Sequence, residues 1–254
     1  MNILKGSTTQ YDLDITFFVP CYNEEGNIEA TLSTITAAMA GFSLRYEILI
    51  IDDASKDRTV DVVEKIMKEN PALPIRLIRN AVNRGLGYNY FRGAFLARGT
   101  HYMIINGDNV EPVETIQKII AHCGHFDMII PYFGKNDTRS FVRRTISQVF
   151  LVLVNILSGN KLHYYNGPVL HNTDNVRFFR SETQGYGYQA ELLCRLLHEG
   201  TSYVEVVVPN AEREWGTSKA FSLGNILSVS NSLFHIFWRR LEYFSFRVLK
   251  PSHD

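Results

Sequence analysis

The sequence has few cysteines, no excess of either charge and no long hydrophobic run, and each shortage excludes a class of protein. Its three cysteines form no C-x-x-C pair, which argues against a structural zinc site and suits a reducing compartment. Lys and Arg number 26, and Asp and Glu also number 26. Because proteins that grip a nucleic-acid backbone usually carry a basic excess, we expect no nucleic-acid partner.

Hydrophobic segments are equally short. The longest apolar run, Val149 to Leu157, has nine residues and contains Asn155. A membrane-spanning helix needs about 20 apolar residues. The segment from Met1 to Asp14 has no apolar run of the kind that a secretory signal requires. These features predict a cytoplasmic protein without a membrane-spanning helix.

In its first half the sequence alternates short apolar runs with amphipathic segments. The runs are typical of buried parallel strands, and the amphipathic segments are typical of helices. Short loops join the repeated units, which favours an α/β fold with helices flanking a mostly parallel sheet. The predicted strands are residues 15–20, 46–51, 75–78, 102–105 and 127–130.

The second half is less regular. Its patterns predict helices at 139–157 and 188–198 and a strand at 203–208. From Lys219 to Phe246 the sequence is again helical in pattern and rich in aromatic and aliphatic residues.

This C-terminal segment, residues 219–254, is predicted to be distinct from a domain formed by residues 1–218. Arg239, Arg240 and Arg247 are interspersed in its apolar stripe. A helix of this composition either lies in a membrane interface or packs against the domain or a partner subunit. The pattern leaves these alternatives open, and with them the choice between a monomer and a homo-oligomer.

Charged residues follow several of the predicted strands at the point where each strand ends. Glu24, Asp52, Asp53 and Asp108 are acidic, and Arg84 lies in a glycine-rich loop. In parallel sheets ligands bind at the carboxyl ends of the strands, so we expect these side chains to share one edge. Clustered carboxylates favour a divalent cation, and an arginine beside glycines is suited to a diphosphate. The set predicts a site for a nucleoside diphosphate and one metal ion.

The same residues lie in motifs that resemble those of family 2 glycosyltransferases of the GT-A fold. The resemblance extends over about residues 15 to 220, and its later motifs are similar to the polyprenyl-phosphate branch, which includes dolichyl-phosphate mannose synthase. The motifs are VPCYNEE at 19–25, IDDASKDRT at 51–59, NRGLG at 83–87, NGD at 106–108, YGYQAE at 186–191 and REWGTSK at 213–219.

The resemblance implies an inverting transfer of sugar from a nucleoside-diphosphate sugar to a polyprenyl phosphate of the undecaprenyl or dolichyl type. It places such a protein on the cytoplasmic face of a membrane as a peripheral protein. An acceptor phosphate is already an anion at neutral pH, whereas a sugar hydroxyl would need a carboxylate such as Glu191 to take its proton.

The resemblance also implies roles for individual positions. Asp108 corresponds to the last carboxylate of the family's D-x-D motif and would hold Mg²⁺ or Mn²⁺, and Asp108 and Glu191 are the implied catalytic residues. The implied nucleotide-sugar contacts are Pro20, Tyr22, Glu24, Asp52, Asp53, Arg84, Gly85, Asn106, Gly107 and Asp108. The implied acceptor or phosphate contacts are Arg139, Arg143, Gln189, Arg213, Ser218 and Lys219.

One departure from the family pattern affects the metal. Asn106 stands where the D-x-D motif has its first carboxylate, and a neutral amide oxygen binds a divalent cation more weakly. Two alternatives therefore stay open. One is a transferase that acts on a saccharide hydroxyl or lipid-linked glycan, and the other is a degenerate, non-catalytic binding protein.

Overall fold

The computed structural model describes residues 11–134, 137, 140–179, 187–209 and 223–248, with side chains of the last helix described over 229–242. The strands are β1 (Leu13–Cys21), β2 (Tyr46–Asp52), β3 (Ile75–Arg79), β4 (Gly99–Ile104), β5 (Met128–Phe133), β6 (Leu170–Asn172) and β7 (Tyr203–Val208). The helices are α1 (Ile28–Met39), α2 (Thr59–Glu69), α3 (Leu86–Leu96), α4 (Val113–Ile120), α5 (Phe141–Ser158), α6 (Thr173–Arg177), α7 (Tyr188–His198) and α8 (Leu223–Val248).

The strands form one sheet in the order β3-β2-β1-β4-β6-β5-β7. Only β6 runs antiparallel to its neighbours among the described strands. The α/β fold with a mostly parallel sheet is therefore confirmed, and each predicted strand is present within a few residues of its predicted bounds. The short strand β6 and helix α6 were not predicted, because three-residue and five-residue elements are too short to show a period.

Helices cover both faces of the sheet, and each face has its own apolar core. One core joins the sheet to α1, α2 and α4, and the other joins it to α3, α5, α6, α7 and α8. Phe17 and Phe18, adjacent on β1, enter different cores and are both fully buried. This burial on two faces explains why the central strands are continuous apolar runs.

Helix α5 is more exposed and more apolar than an ordinary surface helix. It has 18 residues with a mean hydropathy of 1.4, and 11% of them are buried, so by length and composition it passes the test for a membrane span. The prediction of no membrane-spanning helix rested on the longest uninterrupted apolar run, a measure that does not register an 18-residue helix with interspersed polar residues. Val154 and Ser158 are nevertheless buried, so one face of α5 packs on the protein.

Helix α8 contacts the rest of the protein through two arginines and through the apolar side chains of Leu233 and Ile236. Arg240 donates a hydrogen bond to the carbonyl oxygen of Ile156 in the last turn of α5, at 2.6 Å. A cation at this position interacts favourably with the carboxyl end of a helix. Arg239 forms an ion pair with Glu191 of α7 at 3.2 Å, and Ile236 is buried in the core.

His171 on β6 is fully buried, and neither ring nitrogen has a hydrogen-bond partner among the described residues. Burial lowers the pKa of His171 to about 3, so the folded protein holds the neutral ring. An unfolded chain takes up a proton near pH 6.5 and the folded chain does not. The free energy of unfolding is therefore expected to fall as the pH is lowered from 6.5 towards 3.

We predict that His171→Met removes much of this acid sensitivity. Between pH 7 and pH 5 the wild-type protein should lose up to about 2 kcal/mol more unfolding free energy than the variant, as measured by urea denaturation. His125→Met, at an exposed histidine, is the matched control and should keep the wild-type pH dependence. Equal pH dependence in His171→Met and the wild type would reject the prediction.

Candidate active site

The turn after β4 packs tightly against the end of β1. A Cβ atom on Gly107 would lie 2.8 Å from the carbonyl oxygen of Pro20 and 3.5 Å from Cγ of Glu24, so only glycine fits there without a shift. The carbonyl oxygen of Gly107 also accepts a hydrogen bond from Thr31 Oγ1 at 3.1 Å. The structure thus brings the 106–108 motif against the 19–25 motif.

Carboxylates converge around the end of β1. Cys21 is paired in register with Asp52 of β2. Burial raises the pKa of the Cys21 thiol well above its usual value, and the negative charges of Asp52, Glu24, Asp57 and Asp108 raise it further. Of these four acidic residues, Asp52, Glu24 and Asp108 belong to the set that the strand-end pattern predicted at the carboxyl edge of the sheet, and Asp57 does not.

Asp52 has a carboxylate oxygen that is not used by the described part of the protein. It is 3% exposed, and its Oδ2 accepts a hydrogen bond from the Ser55 backbone N–H at 3.2 Å. Its Oδ1 is buried and has no hydrogen-bond partner among the described residues. An unsatisfied buried carboxylate oxygen is costly, so this atom is suited to accept a hydrogen bond from a ligand.

Asp53 is instead engaged with the glycine-rich loop. Its Oδ1 accepts hydrogen bonds from Asn80 Nδ2 at 2.7 Å and the Arg84 backbone N–H at 2.8 Å, and its Oδ2 accepts from the Gly85 backbone N–H at 2.8 Å. Burial alone would raise the pKa of Asp53, but hydrogen bonds from Arg84, Asn89, Asn80 and Gly85 outweigh it and lower the pKa. Both oxygens are thus used to fix the loop.

The loop that Asp53 holds presents Arg84 at the edge of the sheet. Gly85 has a φ of 84°, a backbone conformation that glycine adopts without strain. The Arg84 side chain is exposed, and its guanidinium carbon lies 5.7 Å from the centroid of the Tyr88 ring. The arrangement leaves a positive charge accessible beside the acidic group.

Glu111 is a site residue that sequence reasoning missed. Its Oε1 accepts a hydrogen bond from Asn106 Nδ2 at 2.7 Å, and its Oε2 accepts from the Asn106 backbone N–H at 3.2 Å. Burial and the nearby Asp108 raise the pKa of Glu111 to about 8, although the hydrogen bonds from Asn106 act in the opposite direction. Its place before Pro112 suggested only a helix start, so no sequence signal pointed to Asn106.

The donor set is suited to a hard cation that has other ligands as well. Carboxylate and amide oxygens are the protein ligands that Mg²⁺ and Mn²⁺ favour. Within the described part of the chain, no three His, Cys, Asp or Glu side chains lie close enough to hold a metal ion by themselves. Such a set fits an ion that shares its coordination shell with a phosphate ligand, as Mg²⁺ commonly does.

The other predicted residues lie on α5 or α7, directly after β1, or outside the described residues. Glu191 is 1% exposed and paired with Arg239, and it lines a cavity of about 260 Å³ between α7 and α8. Gln189 is buried on α7 and donates to the carbonyl oxygen of Gly167. Arg143 is exposed in the first turn of α5, and Tyr22 directly follows β1. The predicted residues outside the described ranges are Arg139, Arg213, Ser218 and Lys219.

Replacing Asp53 tests the organisation of the loop. We predict that Asp53→Asn lowers the free energy of unfolding by about 1–3 kcal/mol, because an amide NH₂ group would face a backbone N–H in place of an acceptor. Because the pKa of Asp53 is lowered on folding, its stabilisation is present above the unfolded pKa of about 3.9 and is lost as the pH falls through the folded value. Urea denaturation at pH 7 measures the loss.

Asp61→Asn, at an exposed position on α2, makes the same chemical change without these hydrogen bonds. It should leave the stability within about 0.5 kcal/mol of the wild type. Equal stability of the two variants would contradict the role of Asp53.

The comparisons with known proteins agree with this fold. The family model described as Glycosyl transferase family 2 matches residues 16–183, and the chain belongs to this family. The motifs at the sheet edge lie within the matched range.

Two relatives carry names from the polyprenyl-phosphate branch. A dolichol-phosphate mannosyltransferase from Pyrococcus furiosus is 34% identical over 108 residues, which are 42% of this chain and 29% of that protein. An undecaprenyl-phosphate mannosyltransferase from Micrococcus luteus is 26% identical over 212 residues, covering 79% of this chain and 85% of that protein. The matched part of this chain thus spans less than a third of the archaeal relative's length and most of the bacterial one.

A solved structure shares the fold. Glucosyl-3-phosphoglycerate synthase from Mycobacterium tuberculosis, crystallised with Mn²⁺, UDP-glucose and phosphoglyceric acid, has a TM-score of 0.63 and 16% sequence identity. The alignment covers 90% of this chain and 80% of that chain. Together with the sheet order, this similarity confirms the predicted GT-A fold.

Proposed function

We propose that this chain transfers a sugar from a nucleoside-diphosphate sugar to a polyprenyl phosphate, with inversion at the anomeric carbon. The observation that carries the proposal is the buried, unpartnered Oδ1 of Asp52 on the same edge as Asp108 and the exposed Arg84. Family membership and the printed names of the two relatives support the reaction class and the lipid acceptor.

The donor is proposed to lie along the carboxyl edge of β1, β2 and β4. Asp52 accepts a hydrogen bond from the nucleoside, and Pro20, Tyr22 and Glu24 surround the base. The Arg84 guanidinium and the Gly85 loop bind the diphosphate, because a planar guanidinium pairs well with phosphate oxygens. In this arrangement Asp53 acts through the loop that it fixes rather than on the nucleoside.

Asp108 is proposed to hold Mg²⁺ or Mn²⁺ beside the diphosphate. The cation supplies charge neutralisation of the leaving group, which lowers the barrier to its departure. The solved neighbour with Mn²⁺ and UDP-glucose supports a divalent ion in this fold.

The transfer itself is a displacement at the anomeric carbon. An oxygen of the acceptor phosphate forms the new C–O bond as the bond to the donor's diphosphate breaks, and the diphosphate leaves with the bonding electrons. An acceptor phosphate needs no general base. This is consistent with the position of Glu191, whose carboxylate is paired with Arg239. We therefore propose that Glu191 joins α7 to α8. For Gln189 we propose a place near the acceptor, as the family resemblance implies.

The exposed faces of α5 and α8 support a lipid surface as the place of reaction. At 3.6 residues per turn, the exposed apolar residues of α5 fall within an arc of roughly 140°. They are Phe141, Val142, Ile146, Val149, Val152, Leu153 and Ile156. On α8 the exposed apolar residues are Phe234, Phe237, Trp238 and Leu241.

Exposed arginines accompany this apolar surface. Arg143 and Arg144 lie in the first turn of α5, where they are suited to attract anionic headgroups. Because the opposite face of α5 packs on the protein through Val154, we propose that α5 lies in the membrane interface and does not cross the bilayer. In a cell this surface would be the cytoplasmic leaflet.

A donor screen against a short-chain polyprenyl phosphate tests the proposed function. The purified chain, Mn²⁺ and one nucleoside-diphosphate sugar at a time are incubated with the lipid, and mass spectrometry detects the glycolipid. We expect a product with one donor class, and none when the matching polyprenol replaces the phosphate. Product formed only on saccharide hydroxyls would favour the other transferase, and nucleotide binding without any product would favour a non-catalytic protein.

A further inference from the structure

We propose that Glu111 is a positioning residue that orients Asn106, so that the amide oxygen of Asn106 and not its nitrogen faces the cation at Asp108. This inference rests on the proposed donor site. It concerns a feature of this chain, because Asn106 stands where the family motif has its first carboxylate.

Two hydrogen bonds determine the orientation of the amide. Glu111 is 6% exposed and binds both the side chain and the backbone of Asn106, through Nδ2 at 2.7 Å and the backbone N–H at 3.2 Å. An Asn amide is planar, with its oxygen and nitrogen on opposite branches. When Nδ2 is held by Glu111, Oδ1 is the branch presented to any other group.

The turn around this amide is also held in place. The Asn109 backbone N–H donates to the Asn106 carbonyl oxygen at 3.4 Å, and Asn109 Oδ1 accepts from Thr34 Oγ1 of α1 at 2.9 Å. Gly107 leaves no space for a side chain against Pro20. The Asn106 backbone therefore has little freedom, and the amide orientation depends on its partner.

Which amide atom is presented determines whether a cation can bind. Mg²⁺ and Mn²⁺ take oxygen ligands, and an amide NH₂ group repels them. Partners that orient a metal ligand typically contribute a factor of about 10–100 in metal affinity. Glu111 thereby gives a neutral residue the ligand geometry of the missing carboxylate.

The contact between Asn106 and Glu111 can be tested by exchanging the amide and the carboxylate between the two positions. In Glu111→Gln, the Gln oxygen accepts from the Asn106 backbone N–H and its NH₂ group faces the side-chain amide, which must turn its oxygen inwards. In the double variant Asn106→Asp with Glu111→Gln, the Gln NH₂ group donates to a carboxylate and a second carboxylate oxygen stays available. The positive charge of a bound cation favours the carboxylate form of Glu111, so the exchange keeps one amide and one carboxylate with their positions exchanged.

Mn²⁺ binding to the full chain is measured by electron paramagnetic resonance, in one series with saturating UDP and in a parallel series with GDP. We expect Glu111→Gln to weaken Mn²⁺ binding by about 10–100-fold and the double variant to restore it to within about threefold of the wild type. Asn106→Ala should reproduce the loss, which covers the case in which Glu111→Gln does not fold. Glu114→Gln, an exposed position on α4, is the matched charge control and should bind as the wild type does.

The outcomes separate this inference from the proposed function. Equal Mn²⁺ binding by the wild type, Glu111→Gln and Asn106→Ala would overturn the role of the pair and leave the donor site standing. A double variant that binds as weakly as the single variants would also overturn it. No Mn²⁺ binding by the wild type with either nucleotide would overturn both proposals.

Discussion

Asp108→Asn is expected to lower the turnover of sugar transfer at least ~100-fold, with the fold intact. Asp108 is the carboxylate of the 106–108 turn, which Gly107 holds against β1 near Glu24. Asn106, two residues earlier in the turn, is neutral. The variant would therefore have an amide at both positions and no carboxylate in the turn to bind the metal. The glycolipid assay measures turnover, and Mn²⁺ titration shows whether metal binding falls with it.

The control for this prediction is Asp61→Asn, which makes the same chemical change on the exposed surface of α2. It should retain wild-type turnover. Near-wild-type turnover of Asp108→Asn would remove this residue from the catalytic site and revive the non-catalytic alternative.

The second large effect concerns the membrane. Val149→Glu combined with Val152→Glu on α5 is expected to weaken binding to anionic vesicles by on the order of 100-fold, because burial of each valine stabilises the bound state by about 1.5 kcal/mol or more. Both side chains are about half exposed, at 55% and 52%, so the folded protein tolerates the change. Co-sedimentation with vesicles that contain phosphatidylserine measures the effect.

Phe95→Glu provides the comparison for a single exposed apolar side chain outside these two helices. Phe95 lies on α3 and is 71% exposed. It should bind vesicles as the wild type does, and raised salt should weaken the binding of both proteins because Arg143 and Arg144 contribute electrostatically. Unchanged sedimentation of the α5 variant would contradict the interfacial role of this helix.

The strand-end pattern was sufficient to predict which parts of the chain form the edge. Parallel strands place their carboxyl ends together whatever the details of packing, so Glu24, Asp52, Asp53 and Asp108 were predicted to converge. In the structure the charges of Asp52, Glu24 and Asp108 act on Cys21, and Gly107 is in close contact with Pro20, whereas Asp53 binds the Arg84–Gly85 loop.

The strand-end pattern could not predict the hydrogen-bond partners of the individual side chains. Asp52 and Asp53 are adjacent and chemically identical, yet one has a spare oxygen and the other is used by the Arg84–Gly85 loop. Only the three-dimensional path of that loop decides between them. The same holds for Glu111, whose contact with Asn106 depends on the turn between them.

The sequence pattern also could not predict which side chains on α5 and α7 are exposed to solvent. Glu191 lies in a motif that implied a catalytic carboxylate, but it is buried and α8 supplies Arg239 as its partner. Helix α5 was predicted to be amphipathic from the sequence. In the structure its apolar residues occupy both the packed and the exposed face. Both results depend on how α5, α7 and α8 pack together, which a single sequence does not specify.

A crystal structure of the chain with Mn²⁺ and the nucleoside diphosphate of its donor would test the central claim most directly. We predict that the diphosphate lies between Arg84 and the Asp108-bound ion, with the nucleoside beside Asp52. A nucleotide bound elsewhere, with this edge of the sheet empty, would contradict the assignment of the donor site.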